Sequence, residues 1–201
     1  MAAITDSIHE RYVAPRRAEI LARHLVPLLP ESRRVLDVGC GDGAVSHAIK
    51  RLRPDLHFEG IEVLPRGSPQ ISVSTYDGET IPFPDKSFDA VMFVDVLHHA
   101  ADPARLLREA ARVAAKCVVI KDHFAEGWLA AATLRFMDRV GNARHGVALP
   151  FNYWKRAQWQ REFDRVGLSP VVWQDSLHLY PWPASLAFDR RLHFVCRLQP
   201  T

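Results

Sequence analysis

The stretch RRVLDVGCGDGAVSHAIKRL (33–52) decides the fold. RRVLDV (33–38) is an apolar run that ends in Asp37, as a buried strand of a parallel sheet does. Glycines follow at 39, 41 and 43, and AVSHAIKRL (44–52) has the spacing of a helix. A strand, a glycine turn and a helix place a ligand outside the carboxyl end of the strand. There, glycine admits a close backbone approach and the helix start offers N–H groups. The spacing is G-x-G-x-G, not the G-x-G-x-x-G of nicotinamide-binding domains. Asp37 in this turn repels a pyrophosphate but can receive an ammonium group, directly or through water. That points to a ligand carrying an amino acid.

On both sides of this stretch strands and helices alternate, the pattern of a doubly wound α/β sheet. A helix is predicted from Pro15 to about Leu29. HFEGIEV (57–63), ISVSTY (71–76), FDAVMFVDV (88–96) and KCVVIKDH (116–123) read as further strands. Between the last two, Asp102 caps a helix with Pro103 in its first turn and Leu106, Leu107, Ala110, Val113 and Ala114 on one face. A helix with Leu129, Thr133, Phe136, Met137 and Val140 on one face precedes a loop, GNARHGVALPFNY (141–153). WKRAQWQREFDRVG (154–167) is a helix stopped by Gly167, and the tail predicts two strands forming an antiparallel hairpin at the sheet edge.

VLDVGCGDG (35–43) resembles motif I of the class I S-adenosylmethionine-dependent methyltransferases, and three further elements agree in order and spacing. Glu62 ends the second strand, where the family has an acid that accepts hydrogen bonds from both ribose hydroxyls. Asp77-Gly78 resembles the position that receives the adenine amino group. Residues 81–113, IPFPDKSFDAVMFVDVLHHAADPARLLREAARV, are similar to the corresponding stretch of the small-molecule branch called type 11. The resemblance covers roughly residues 30–122. It implies a Rossmann-like seven-stranded sheet, order 3-2-1-4-5-7-6 with the last strand antiparallel, as a single domain over 1–201. It also implies S-adenosylmethionine as cofactor, with S-adenosylhomocysteine as product. The cofactor residues it implies are Asp37, Gly39, Cys40, Gly41, Gly43, Glu62, Asp77, Gly78, Asp95 and Val96. One departure stands out: LPRGSPQ (64–70) replaces the helix that the family carries before the third strand, leaving one face of the adenosine pocket open or covered by the chain's own termini or a partner.

Methyl transfer from a sulfonium needs alignment more than covalent help. An O–H or N–H acceptor also needs a base, and the candidates are His98, His99 and His123, at the ends of the fourth and fifth strands. Residues 124–153 are the expected acceptor or cap segment, with Asn142, Arg144, His145, Asn152 and Tyr153 as candidate lining residues. Cys40 lies in the glycine loop and is no nucleophile, and no spacing of His, Cys, Asp or Glu reads as a metal site.

With 26 basic and 23 acidic residues in 201, the net charge is +3 and no basic run marks a nucleic-acid or membrane-surface segment. The three cysteines, Cys40, Cys117 and Cys196, are widely spaced, as free thiols of a reducing compartment are. With no signal-like N-terminus and no spanning segment, a cytoplasmic protein is expected, as a monomer or homodimer acting on a small molecule. Two other readings stay open: a non-catalytic family member or partner subunit, and a nicotinamide-dependent oxidoreductase that uses Glu62 on a ribose.

Overall fold

The computed structural model describes residues 14–31, 33–65, 67–142, 150–189 and 191–201. Its strands are β1 (Arg34–Val38), β2 (His57–Glu62), β3 (Ser72–Thr75), β4 (Phe88–Val94), β5 (Ala114–His123), β6 (Leu168–Gln174) and β7 (His193–Pro200). They form one seven-stranded sheet in the order β3-β2-β1-β4-β5-β7-β6. The strands from β3 to β5 pair in parallel, and β7 runs antiparallel to both β5 and β6. The helices are α1 (Ala14–Leu25), α2 (Ala44–Leu52), α3 (Pro103–Val113), α4 (Ala130–Asn142), α5 (Arg156–Arg165) and the short α6 (Ser185–Phe188). Strand order and direction agree with the sequence reading. No helix among the described residues is long and apolar enough to cross a membrane.

Alternation along each strand divides the core in two. Leu36 and Val38 of β1, with Val118 and Ile120 of β5, pack with Leu106, Leu107 and Ala110 of α3 and Trp159 and Phe163 of α5. On the opposite face, Val35, Met92, Cys117 and Val119 pack with Leu21 and Leu25 of α1 and Ile49 of α2. Both faces are covered, which is why β4 and β5 read as nearly unbroken apolar runs.

Several boundaries differ from those predicted. Strand β4 ends at Val94 because Asp95 takes φ +58° and turns the chain into a 3-10 turn at Leu97–His99. Helix α1 stops at Leu25, and Pro27 sits in a 3-10 turn, where its missing N–H costs no helical bond. Helix α3 runs directly into β5 at Ala114, and the Asp102 side chain caps α3 by accepting the Arg105 N–H at 2.9 Å. Strands β6 and β7 are antiparallel neighbours but are not a tight hairpin. The connection over residues 175–192 crosses to the α1 face, where Leu177 and Leu179 are buried, and carries α6.

Candidate active site

The glycine turn lies between the carboxyl end of β1 and α2. Gly39 has φ +69°, and a Cβ there would come within 2.7 Å of the Val96 side chain. Gly43, at φ +76°, faces Ile71, whose side chain a Cβ would meet at 2.5 Å. Gln70, the last residue of the segment that stands in place of the helix, donates its N–H to the Asp42 carbonyl at 2.8 Å and so anchors the segment's end to the glycine loop. Val63 and Leu64, which follow Glu62, are exposed. The Cys40 thiol packs on Gly60, and burial raises its pKa, so it stays a packed thiol.

Asp37 is buried. Its Oδ2 accepts the Ser46 hydroxyl at 2.6 Å, while Oδ1 is buried with no hydrogen-bond partner. Burial raises this carboxyl to about 7, with the nearby Glu62 charge adding to the rise and the Ser46 bond opposing it. A buried carboxylate oxygen left unmatched is costly, and a ligand ammonium would satisfy it. Glu62 holds the loop itself. Oε2 accepts the Gly41 N–H at 2.7 Å, and Oε1 accepts the N–H groups of Val63 at 2.8 Å and Leu64 at 3.3 Å. A carboxylate has about four acceptor positions, so one remains for a hydroxyl. Asp77 is exposed after β3, and its Oδ1 accepts the N–H groups of Glu79 at 2.8 Å and Thr80 at 2.7 Å, which lowers its pKa.

Asp95 differs from these. Its carboxylate is ion-paired with Arg17 of α1 and with Lys121 of β5, whose side chain is fully buried. Burial works against the charge, but the two cations hold Asp95 well below the usual carboxylate range. Its side chain thus ties α1 to the sheet, and Val96 packs on Gly39.

All three candidate histidines come together. His98 is buried, its Nδ1 is 2.6 Å from Asp122 Oδ1, and its ring centroid lies 3.9 Å from His99 and 4.7 Å from His123. Burial opposes a charge on His98, but Asp122 and Asp138 outweigh it and raise the pKa to about 10. His123 goes the other way. Burial and the Lys121 ammonium lower it to about 4, and its Nδ1 is buried with no hydrogen-bond partner. Burial and the neighbouring His98 also lower His99, which is half-buried.

Of the candidate acceptor residues, Tyr153 reaches this cluster, donating its hydroxyl to Asp138 of α4 and stacking on His98 at 5.6 Å. Asn152 braces the turn that carries the histidines, donating its N–H to the His98 carbonyl at 3.2 Å and Nδ2 to the Ala100 carbonyl at 2.9 Å. Arg144, His145 and the Asn142 side chain lie outside the described residues. Sequence reasoning missed Arg17, Ser46, Lys121, Asp122 and Asp138. A cavity of about 450 Å³ lined by Phe124, Glu126, Arg156 and Asp175 lies away from the glycine loop, and its Arg156 is already paired with Asp175.

A family described as a methyltransferase domain matches residues 8–172. The chain is 25% identical to the ajmaline N-methyltransferase of Rauvolfia serpentina, over 79% of this chain and 72% of that protein. It is 37% identical to the fatty-acid O-methyltransferase of Mycolicibacterium smegmatis, over 41% of this chain and about a third (34%) of that protein. In fold it resembles a chain from the complex of the Haloferax volcanii Trm112 methyltransferase activator with a methyltransferase. The TM-score there is 0.68 at 18% identity, covering 97% of this chain and 92% of that one.

Proposed function

The chain belongs to the class I S-adenosylmethionine-dependent methyltransferases, and on that premise we propose that it transfers a methyl group directly, in line, to a small-molecule acceptor at O, N or C. The observation that carries the reading is the pair of acids at the glycine turn. Asp37 Oδ1 is a buried acceptor without a partner, and Glu62 keeps one acceptor position free. These fit the ammonium and a ribose hydroxyl of S-adenosylmethionine. Gly39, Cys40, Gly41 and Gly43 form the backbone cradle, with Val96 and the backbone of Asp95 as its wall and Asp77-Gly78 on the adenine side. When bound, S-adenosylmethionine supplies a methyl group activated by its sulfonium.

The protein's own part is to hold donor and acceptor aligned and to exclude water. His98, His99 and Tyr153 line the acceptor side. His123 is neutral, with Nδ1 buried 3.5 Å from Asp122 Oδ1 and 3.6 Å from Asp95 Oδ1, and we assign its ring as proton acceptor where the acceptor must lose a proton. A base held near 4 is weak at neutral pH, so it suits an acceptor that is already acidic or attacks through a free lone pair. The test is incubation with S-adenosylmethionine and a panel of small phenols, carboxylic acids and amines, with mass spectrometry reading the gain of one methyl group. Methylation of one acceptor class is expected. Cofactor binding without turnover on any member of the panel would contradict the proposal.

Asp37 gives this reading a pH signature. Its carboxyl titrates near 7, and only the ionised form attracts an ammonium. Affinity for S-adenosylhomocysteine therefore improves as pH rises through 7 and is lost as pH falls. One titrating group at that position predicts a dissociation constant about 25-fold weaker at pH 5.5 than at pH 7.5. Calorimetry across that range should show the slope in the native chain and a flat profile in Asp37→Asn. A native profile that is itself flat would remove Asp37 from the ammonium site.

A further inference from the structure

His98 points Nδ1 at Asp122, and its other ring nitrogen, Nε2, is buried without a hydrogen-bond partner, 3.5 Å from Asp138 Oδ2. One ring nitrogen each from His98 and His99 and one carboxylate oxygen of Asp138 all lie within 4.8 Å of one another. We propose that His98, through Nε2 with release of its proton to solvent, binds together with His99 and Asp138 a divalent transition-metal ion of the zinc class at the carboxyl edge of β4 and β5.

The surrounding shell is already that of a metal site. A metal-bound imidazole typically donates its second N–H to a carboxylate, which fixes the tautomer and aims the free nitrogen. Asp122 stands in that place, 2.6 Å from His98 Nδ1. Tyr153 donates its hydroxyl to Asp138, fixing the third ligand, and Asn152 pins the turn on which both histidines sit.

A neighbouring trio, His98, Asp122 and His123, is also close enough to share an ion. Three of its carboxylate's four acceptor positions are in use, however, and His98 already commits Nδ1 to it at 2.6 Å. Asp122 Oδ1 receives His98 Nδ1 and the His123 N–H, and Oδ2 receives the Leu97 N–H at 3.0 Å. That leaves the set containing Asp138.

Two imidazoles and one carboxylate suit zinc, iron, cobalt or nickel better than magnesium or calcium, which prefer all-oxygen shells. Donors about 2.1 Å from one ion stand roughly 3.3 Å apart, so binding draws α4 toward the His98–His99 turn. Positions 98, 99 and 138 have no metal-ligand spacing in sequence, since Asp138 is brought in by the packing of α4. The three residues leave coordination positions open to an acceptor oxygen, but the inference does not depend on methyl transfer.

The test is calorimetric titration of the chelator-treated, untagged chain with Zn²⁺, alongside thermal unfolding with and without the ion. One site per chain is expected, with a melting temperature raised by Zn²⁺. His99→Ala and Asp138→Asn should each weaken binding at least about 100-fold, and Asp122→Asn about 10- to 100-fold, as loss of an outer-shell partner does. Asp138→Asn preserves shape and His99 is only half-buried, so melting of the metal-free variants separates lost binding from lost fold. Absence of one-to-one binding, or binding that His99→Ala and Asp138→Asn leave unchanged, would overturn the site. S-adenosylhomocysteine binding, measured on the same samples, reports on the methyltransferase reading separately.

Discussion

Replacing Glu62 with Ala is expected to weaken S-adenosylhomocysteine binding about 100-fold, close to 2.7 kcal/mol. Two losses combine. One is a charge-assisted hydrogen bond to the ribose, which hydrogen bonds of this kind place at about 1.5–3 kcal/mol. The other is the loop itself, because Glu62 accepts the N–H groups of Gly41, Val63 and Leu64 and thereby joins the glycine turn to the end of β2. Calorimetry gives the affinity. Glu62→Gln adds a further comparison: it keeps the side chain's volume but turns one acceptor into a donor facing backbone N–H groups, so it should also bind weakly. Less than a threefold change in both variants would show that no ribose rests on this carboxylate.

The second large effect concerns stability. Asp95→Asn is expected to destabilise the fold by about 3 kcal/mol, because breaking a buried ion pair leaves the partner charge without compensation. The stranded group is the Lys121 ammonium, fully buried in β5, with Arg17 of α1 losing its carboxylate partner as well. Asn tolerates the positive φ of residue 95, so the loss reports charge and not backbone strain. For a chain of this length the melting temperature should fall by roughly 10 °C. Adding Lys121→Met to Asp95→Asn should restore part of the loss, since the double variant no longer buries an unpaired charge. A single variant that melts with the native chain would mean that the network contributes nothing to stability.

The Asp95 network also marks where the sequence stopped being legible. The strand order, the glycine turn and the acid at the end of β2 could be read directly, because each is a local pattern: an apolar run, a glycine spacing, a residue at a strand end. Partner choice between distant residues is not local. Sequence reading places Asp95 beside the cofactor and assigns its carboxylate no partner, whereas Arg17 of α1 and Lys121 of β5 claim it. Asp138 reaches His98 only because α4 folds back over the sheet end. One signal was available. KCVVIKDH (116–123) puts Lys121, Asp122 and His123 consecutively at the end of a strand buried on both faces. Charges in such a place must find partners, so a polar cluster at the end of β5 could have been inferred without knowing its members. The early end of β4 was invisible for a related reason: Asp95 leaves the strand through a left-handed turn, and VDVLHH (94–99) carries no glycine to announce it.

Calorimetric titration of the chain with S-adenosylhomocysteine, with NADH as the parallel ligand, decides whether the glycine turn with Asp37 and Glu62 is an S-adenosylmethionine site. One site per chain is expected for S-adenosylhomocysteine, with a dissociation constant of about 1 µM or tighter, near −8 kcal/mol, and no heat with NADH. Binding of NADH without S-adenosylhomocysteine, or binding of neither, would contradict it.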